Sequence, residues 1–319
     1  MMRIVITRRI FHEPVEALAR RFDVVHNEED RPWSPEELAL NLRGAAGAMA
    51  TVMDRFDEAI LDRCPDLKVI SNIAVGHNNV DVAACTRRGI RVTNTPGVLD
   101  DTTADLTWAL LMASARRIAE GDAYVRAGDW KIAFGVQYFL GQDIHHATLG
   151  VIGMGRIGQA VARRARGFDM RVLYNNRTRL AGDEERRLGA EYAERDRLLA
   201  ESDFVVVMAP YSPATHHLIG AAEIAKMKPT AILVNSARGG VVDDMALVEA
   251  LQAKRIVGAG LDVFEGEPKV HPGYLGLRNV VMTPHIGSAS RATRLVMCNT
   301  AAANMVAVLE GRDPPNPVN

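Results

Sequence analysis

Cysteine is scarce: 319 residues hold three, Cys64, Cys85 and Cys298, odd in number and far apart. A disulfide framework needs thiols in even number and a zinc ribbon needs them closely spaced, so these three fit neither, and a reducing compartment fits. An excess of one charge is missing too. The 38 Lys and Arg are balanced by 39 Asp and Glu for a net charge of −1, and the basic residues form no stripe, so no nucleic acid is expected as a partner. No apolar run approaches a membrane span. The start, Met1-Met2-Arg3-Ile4-Val5-Ile6-Thr7, reads as a short strand and not as a signal peptide. No membrane partner is therefore expected, and the expected address is the cytoplasm. Internal repeats and low-complexity linkers are also absent. What remains is an ordinary globular composition, 48% hydrophobic and 24% charged, in a chain long enough for two domains.

The most informative stretch is Thr148-Leu-Gly-Val-Ile-Gly-Met-Gly-Arg-Ile-Gly158. Leu149, Val151 and Ile152 suit a buried strand, and Ile157, Val161, Ala165 and Phe168 recur at helical spacing. Between them Gly153, Gly155 and Gly158 fit G-x-G-x-x-G. The first glycine makes a tight turn, the second lets backbone approach a pyrophosphate, and the third lets the helix pack close to the strand. The free N–H groups at the helix start then face the anion. A chain with 26 glycines produces such a pattern by chance, but here strand, turn and helix stand in the order a dinucleotide needs. Residues 149–152, 171–174, 204–208, 231–235, 257–261 and 280–282 read as six parallel strands with helices between them.

Residues 3–99 alternate in the same way, with strands at 4–6, 24–25, 48–52, 68–73 and 91–93. One helix is marked by Ser34 as N-cap, Pro35 in its first turn and Glu37 completing a capping box. No glycine fingerprint occurs here, so this unit is not expected to carry the cofactor. Val75 and Gly76, between Asn72 and Asp81, either offer backbone N–H groups to a small anion or simply close a polar turn beside His77. Met53-Asp54 stands at another strand end. After a Thr95-Pro96-Gly97 connector, a helix is expected from Asp101 to about Arg117. An irregular stretch with Tyr124, Trp130, Phe134, Tyr138 and Phe139 follows. Its rings need cover, so it reads as an arm packing on a second subunit. His145-His146 and His216-His217 lack the i, i+4 spacing and acidic partners of a zinc site; they are read as structural, and no metal is expected.

In a dinucleotide sheet the residue closing the second strand separates NAD from NADP, because an acidic side chain there binds the ribose hydroxyls and repels a 2′-phosphate. Here that position holds Asn175, followed by Asn176, Arg177, Thr178 and Arg179. A guanidinium grips a phosphate through two parallel hydrogen bonds. NADP is therefore expected rather than NAD, with Arg177 as the stronger candidate and Arg179 facing water.

Arg238, Glu267 and His285 each follow a strand, at the ends where open α/β sheets place ligands. Separately they read as a surface arginine, a turn acid with Glu265 equally placed, and an interface histidine. Together they fit one reaction. A protonated imidazole delivers a proton to a ketone oxygen, a carboxylate stabilises the charged ring, and an arginine holds a substrate carboxylate and polarises the carbonyl. Asp262, at a strand end, suits a nicotinamide carboxamide.

These motifs, in this order and over nearly the whole chain, resemble the D-isomer-specific 2-hydroxyacid dehydrogenases. The resemblance rests on the glycine fingerprint, Asn-x-x-Arg-Gly-x-x-Val-Asp at 235–243, Gly-Leu-Asp-Val-Phe-Glu-x-Glu-Pro at 260–268 and Pro-His-Ile-Gly-Ser at 284–288. Within the family the chain looks most like the glyoxylate/hydroxypyruvate reductase and 2-ketogluconate reductase branch, through Asp143-Ile-His-His-Ala-Thr-Leu-Gly150 and Asn175-Asn-Arg177. The resemblance implies an α/β protein of two doubly wound parallel-sheet (Rossmann/flavodoxin-like) domains with a cleft between them. Residues 1–99 plus 287–319 would bind substrate, and 100–286 the dinucleotide. It implies Arg238, Glu267 and His285 as catalytic residues, the acid next to the proline being preferred over Glu265. It places the substrate carboxylate on the Val75 and Gly76 amides, with Ser288 in a loop lining the substrate, and adds cofactor contacts from Arg156, Ile157, Pro210, Thr215 and Ala237. It also implies a homodimer formed through the cofactor domain. The expected reaction is NADPH-dependent reduction of small 2-oxo acids (glyoxylate, hydroxypyruvate or 2-ketogluconate) to D-2-hydroxy acids. Two other readings stay open: an NAD-dependent member of different specificity, and a non-catalytic dinucleotide sensor that binds a partner. The complete set of Arg238, Glu267 and His285 speaks against the sensor, since binding alone needs no proton donor.

Overall fold

In the computed structural model, which describes residues 1–319, short apolar runs separated by helices wind the first 99 residues around one sheet. Strands β1 (Arg3–Ile6), β2 (Asp23–His26), β3 (Ala45–Ala50), β4 (Val69–Asn72) and β5 (Arg91–Thr93) alternate with α1 (His12–Ala19), α2 (Pro35–Asn41), α3 (Glu58–Leu61) and α4 (Val82–Arg87). All are parallel in the order β2-β1-β3-β4-β5, a flavodoxin-like winding. Ser34 and Glu37 form the expected capping box on α2. Strand β3 begins three residues earlier than the expected 48–52. Its Ala-Ala-Gly-Ala-Met-Ala is buried throughout, but alanine and glycine carry little strand propensity. Thr51 has already left the strand and turns onto the Asp54 carboxylate.

The second unit, Asp100–Ser288, opens with α5 (Asp100–Ala115) and α6 (Ile118–Arg126). It then runs through β6 (Thr148–Ile152), α7 (Arg156–Ala165), β7 (Arg171–Asn175), α8 (Gly182–Leu188), β8 (Ala190–Tyr192), α9 (Arg195–Glu201) and β9 (Phe204–Val207). It closes with α10 (Ala221–Ile224), β10 (Ile232–Asn235), α11 (Asp244–Gln252), β11 (Gly258–Leu261) and β12 (Val280–Met282). The sheet order is β12-β11-β10-β9-β6-β7-β8, so winding reverses between β6 and β9. It has seven strands where six were expected. The extra one, β8, is a three-residue edge strand with no buried residue and hence no apolar run. Residues 118–126 are helical rather than irregular, and α6 buries no residue. From this helix Tyr124 packs on Tyr138 and Phe139 of the following segment, the three rings lying at centroid distances of 4.9 to 6.0 Å. Trp130, Phe134 and Val136 stay exposed.

Helix α12 (Arg291–Leu309), capped by Ser290, completes the first unit by burying Met297, Ala301 and Met305 among contacts with β3 and β4. Contrary to the expectation from the sequence, this 19-residue helix is long and apolar enough by composition to cross a bilayer; here it serves as a core helix. The second unit extends two residues beyond the expected boundary, because the Gly287 N–H is held by the Asp262 carboxylate.

Candidate active site

At the end of β6, Gly153 turns the chain at φ +102°, a conformation that L side chains rarely adopt. A Cβ there would lie 2.6 Å from Ala209 N and from Met208 C, and one on Gly158 would strike the Gly153 carbonyl. On Gly155 it would meet nothing within 4 Å. Gly155 is also the N-cap of α7 and brings no side chain to its first N–H groups. Two glycines are thus packed against backbone, while the middle one opens onto free space at a helix N-terminus, a cradle that fits a pyrophosphate. It lies at the carboxyl ends of β6 and β9, where the winding reverses. Arg156 and Ile157 form the first turn of α7, and Thr215 Oγ1 donates to Pro210 O at 2.7 Å in the turn after β9.

In the loop after β7, Asn175 Nδ2 donates to Ala193 O at 2.9 Å, and Asn176 Oδ1 accepts from Met154 N at 2.6 Å. The two amides fasten this loop to its neighbours, Asn176 to the glycine turn itself. Arg179 does not simply face water. Its Nε and Nη2 lie 2.8 and 2.9 Å from the Glu185 carboxylate, which also accepts Tyr174 Oη at 2.6 Å. Arg179 and Tyr174 hold the Glu185 carboxyl down at about 2, while burial and Glu185 push the Tyr174 phenol up to about 12. Arg177 and Thr178 are exposed, and Arg177 makes no ion pair. A depression of about 390 Å³ opens beside Asn175, lined by Glu194, Arg195 and Asp196.

Arg238, Glu267 and His285 converge. His285 Nδ1 lies 2.6 Å from Glu267 Oε2, and Arg238 Nη1 lies 3.4 Å from Nε2 of the same ring. The other Glu267 oxygen accepts the Phe264 N–H at 2.9 Å. Burial alone would raise the Glu267 pKa, but the hydrogen bond and charge of His285, the Phe264 N–H and Arg238 outweigh it and hold the carboxyl below its ordinary value. Burial pulls the Arg238 pKa down, with the Glu267 charge opposing. A charged Glu267 fixes a proton on Nδ1 and leaves Nε2 as the working nitrogen. Ala237, whose N–H donates to Asn235 Oδ1 at 3.2 Å, sets the turn that presents Arg238.

His285 has φ +53°, and its loop is pinned around Asp262. The His285 N–H donates to Asp262 O at 2.9 Å, and the Asp262 carboxylate accepts from Thr283 Oγ1, Ile286 N and Gly287 N at 2.6, 2.8 and 2.8 Å. Asp262 therefore braces the histidine loop, a role its position at a strand end did not suggest. Asp244 went unread as well. This buried residue accepts the Glu265 N–H at 2.9 Å and Tyr274 Oη at 3.0 Å, clamping the turn that carries Glu267. Its one sequence signal is the doubled acid Asp243-Asp244, where Asp243 alone caps α11. Glu265 points elsewhere: its Oε2 lies 3.1 Å from His217 Nε2, and Asp243 is 3.5 Å from His217 Nδ1. The expectation that this histidine pair lacks acidic partners fails, because both acids arrive from distant segments.

In the first unit, the carbonyls of Ala74, Val75 and Gly76 accept from Thr95 N, Asn94 Nδ2 and Asn72 Nδ2, each at 2.8 Å. The Val75 and Gly76 N–H groups meet no acceptor in the chain. Two adjacent free amides in a half-buried loop suit a small anion. Asp54 is instead a structural knot, buried and occupied by Thr7 Oγ1 at 2.7 Å and Thr51 N at 2.8 Å. Ser288 is half-buried at the end of the second unit.

The family described as D-isomer specific 2-hydroxyacid dehydrogenase, NAD binding domain, matches residues 108–287. A glyoxylate reductase of Thermococcus onnurineus is 46% identical over 320 residues, covering 99% of this chain and 96% of the relative. A Thermus thermophilus protein of known structure shares 46% identity over the whole of both chains, with a TM-score of 0.92. An NADPH-dependent glyoxylate/hydroxypyruvate reductase of Sinorhizobium meliloti, crystallised with NADP and malonate, shares 32% identity over 99% of this chain and 96% of its own, with a TM-score of 0.88.

Proposed function

The chain belongs to the D-isomer-specific 2-hydroxyacid dehydrogenase family, and we propose that within it this protein is an NADPH-dependent reductase of small 2-oxo acids. Glyoxylate and hydroxypyruvate are the first substrates to test, and 2-ketogluconate the third. The observation that carries this reading is the convergence of Arg238 and Glu267 on opposite nitrogens of His285. The names of the relatives at 46% and 32% identity support the choice of substrates.

When bound, the reduced nicotinamide supplies the hydride. His285 donates the proton from Nε2 to the substrate oxygen, and Glu267 keeps the ring oriented and balances its charge. Arg238 binds the substrate carboxylate and polarises the carbonyl, and the Val75 and Gly76 amides take carboxylate oxygen. The pyrophosphate belongs at Gly155 and the α7 N-terminus, beside Arg156, Ile157, Pro210, Thr215 and Ala237. Arg177 and Thr178 take the 2′-phosphate in the loop that Asn175 and Asn176 fasten. Asp262 has capacity left on Oδ2 for the carboxamide. The absence of an acid at 175 and the uncommitted Arg177 support NADPH over NADH. The exposed Trp130, Phe134 and Val136 support an interface with a second copy of the chain.

The test is loss of nicotinamide absorbance when purified protein meets NADPH and a panel of 2-oxo acids. Relative kcat/KM for the three candidates ranks them. No turnover with any 2-oxo acid would sink this reading in favour of a dinucleotide sensor.

A further inference from the structure

One cluster of ligating side chains takes no part in that machinery. His216 and His217 stack with ring centroids 3.9 Å apart, and Glu265 stands against them. One ligand atom from each of the three lies within 4.8 Å of the others. We propose that His216, His217 and Glu265 form a binding site for a divalent cation of the zinc class.

The donor set is the first argument. Two imidazoles and a carboxylate match three-ligand zinc sites, which leave a fourth position for water. Imidazole also favours zinc, copper and nickel over calcium or magnesium, which take oxygen ligands. Preorganisation is the second. His217 presents Nε2 to Glu265 while its Nδ1 faces Asp243 at 3.5 Å, the outer carboxylate contact that orients a metal-bound histidine. Asp243 is itself fixed, its Oδ1 accepting the Met245 and Ala246 N–H groups. Adjacent side chains in an extended chain point apart. Here His217 has φ +50° and donates its N–H to Gly240 O at 2.8 Å, so the two rings share one side. Glu265 is anchored by its N–H on Asp244 and pairs with no lysine or arginine, leaving its charge for a cation. His216 and Glu265 are exposed, which leaves them free to rotate onto a common ion at about 2 Å.

Glu265 lies two residues before Glu267 on one turn. An ion that draws Glu265 toward His216 and His217 shifts the turn that carries Glu267 out of register with His285, so occupancy slows reduction. This consequence rests on the role given to Glu267 above; the binding does not.

Untagged, chelator-treated full-length protein is titrated calorimetrically with zinc chloride. A parallel titration with cobalt(II) follows the visible bands of tetrahedral cobalt. One ion per chain is expected, with affinity falling about tenfold or more in His216→Asn and in Glu265→Gln. No binding at millimolar ion, or binding unchanged in both variants, overturns the site. In rate assays zinc should slow the wild type and spare His216→Asn. Zinc that binds without slowing the wild type overturns the coupling alone, and an enzyme inactive on every 2-oxo acid leaves the calorimetric result standing.

Discussion

Replacing Arg177 with alanine should separate the two nicotinamide cofactors. Asn175 leaves no carboxylate to repel a 2′-phosphate, and of the two arginines that follow, only Arg177 is uncommitted. Arg179 spends Nε and Nη2 on Glu185 at 2.8 and 2.9 Å. A hydrogen bond to a charged group contributes about 1.5–3 kcal/mol, and about 1.4 kcal/mol is a factor of ten. Arg177→Ala should therefore raise KM for NADPH about 10- to 100-fold and barely alter KM for NADH, which has no phosphate at that position. Arg179→Ala works indirectly. It releases Glu185, a carboxylate that stays ionised at neutral pH beside the loop even without Arg179. The expected effect on NADPH is smaller, a few-fold rise by like-charge repulsion at an exposed site. Initial rates at saturating 2-oxo acid, with NADPH and NADH varied in turn, measure all of this on three proteins. Equal rises for both cofactors in Arg177→Ala, or a larger NADPH effect in Arg179→Ala, would refute the assignment of Arg177 to the phosphate.

His285→Ala should lower kcat by about a hundredfold or more, the usual scale for a lost general acid; a near-normal rate removes it from the mechanism. The Glu267 carboxyl is held below its ordinary value in the folded protein, so its charge stabilises the fold above the unfolded value of about 4.3 and that contribution is lost as pH falls through the folded value. The stability gap between wild type and Glu267→Gln in urea should shrink as pH drops below about 4.3, and a gap independent of pH contradicts the depressed value. Gly153→Ala combines a left-handed backbone, about 1–2 kcal/mol, with a methyl 2.6 Å from the Met208–Ala209 backbone, about 1–3 kcal/mol. Urea unfolding should show a loss of about 2–5 kcal/mol, whereas Gly155→Ala should keep its stability and lose dinucleotide affinity; the reverse order would rule out the cradle at Gly155.

What was legible in the sequence follows from how local each constraint is. A phosphate-binding turn needs particular backbone conformations at Gly153, Gly155 and Gly158 directly after a strand, so it writes itself into eleven consecutive residues, 148–158. That Arg238 and His285 would stand near one another was readable for a related reason, since each follows a strand of one parallel sheet and strand ends can be counted, whereas the choice of Glu267 over Glu265 rests on the family resemblance. The bracing residues leave no such mark. Asp244 looks like a second acid at a helix start, and only its contacts with Glu265 and Tyr274, 21 and 30 residues further on, reveal a clamp. Arg179 reads as solvated until Glu185 is seen beside it, and His217 reads as partnerless until Glu265, 48 residues away, arrives. Edge strand β8 escapes for the complementary reason: its three residues include none that is buried, so it generates no apolar run by which a strand is recognised. A residue that reacts must stand at a particular place on the scaffold. A residue that steadies it need only reach the right point in space, and many sequence positions satisfy that equally.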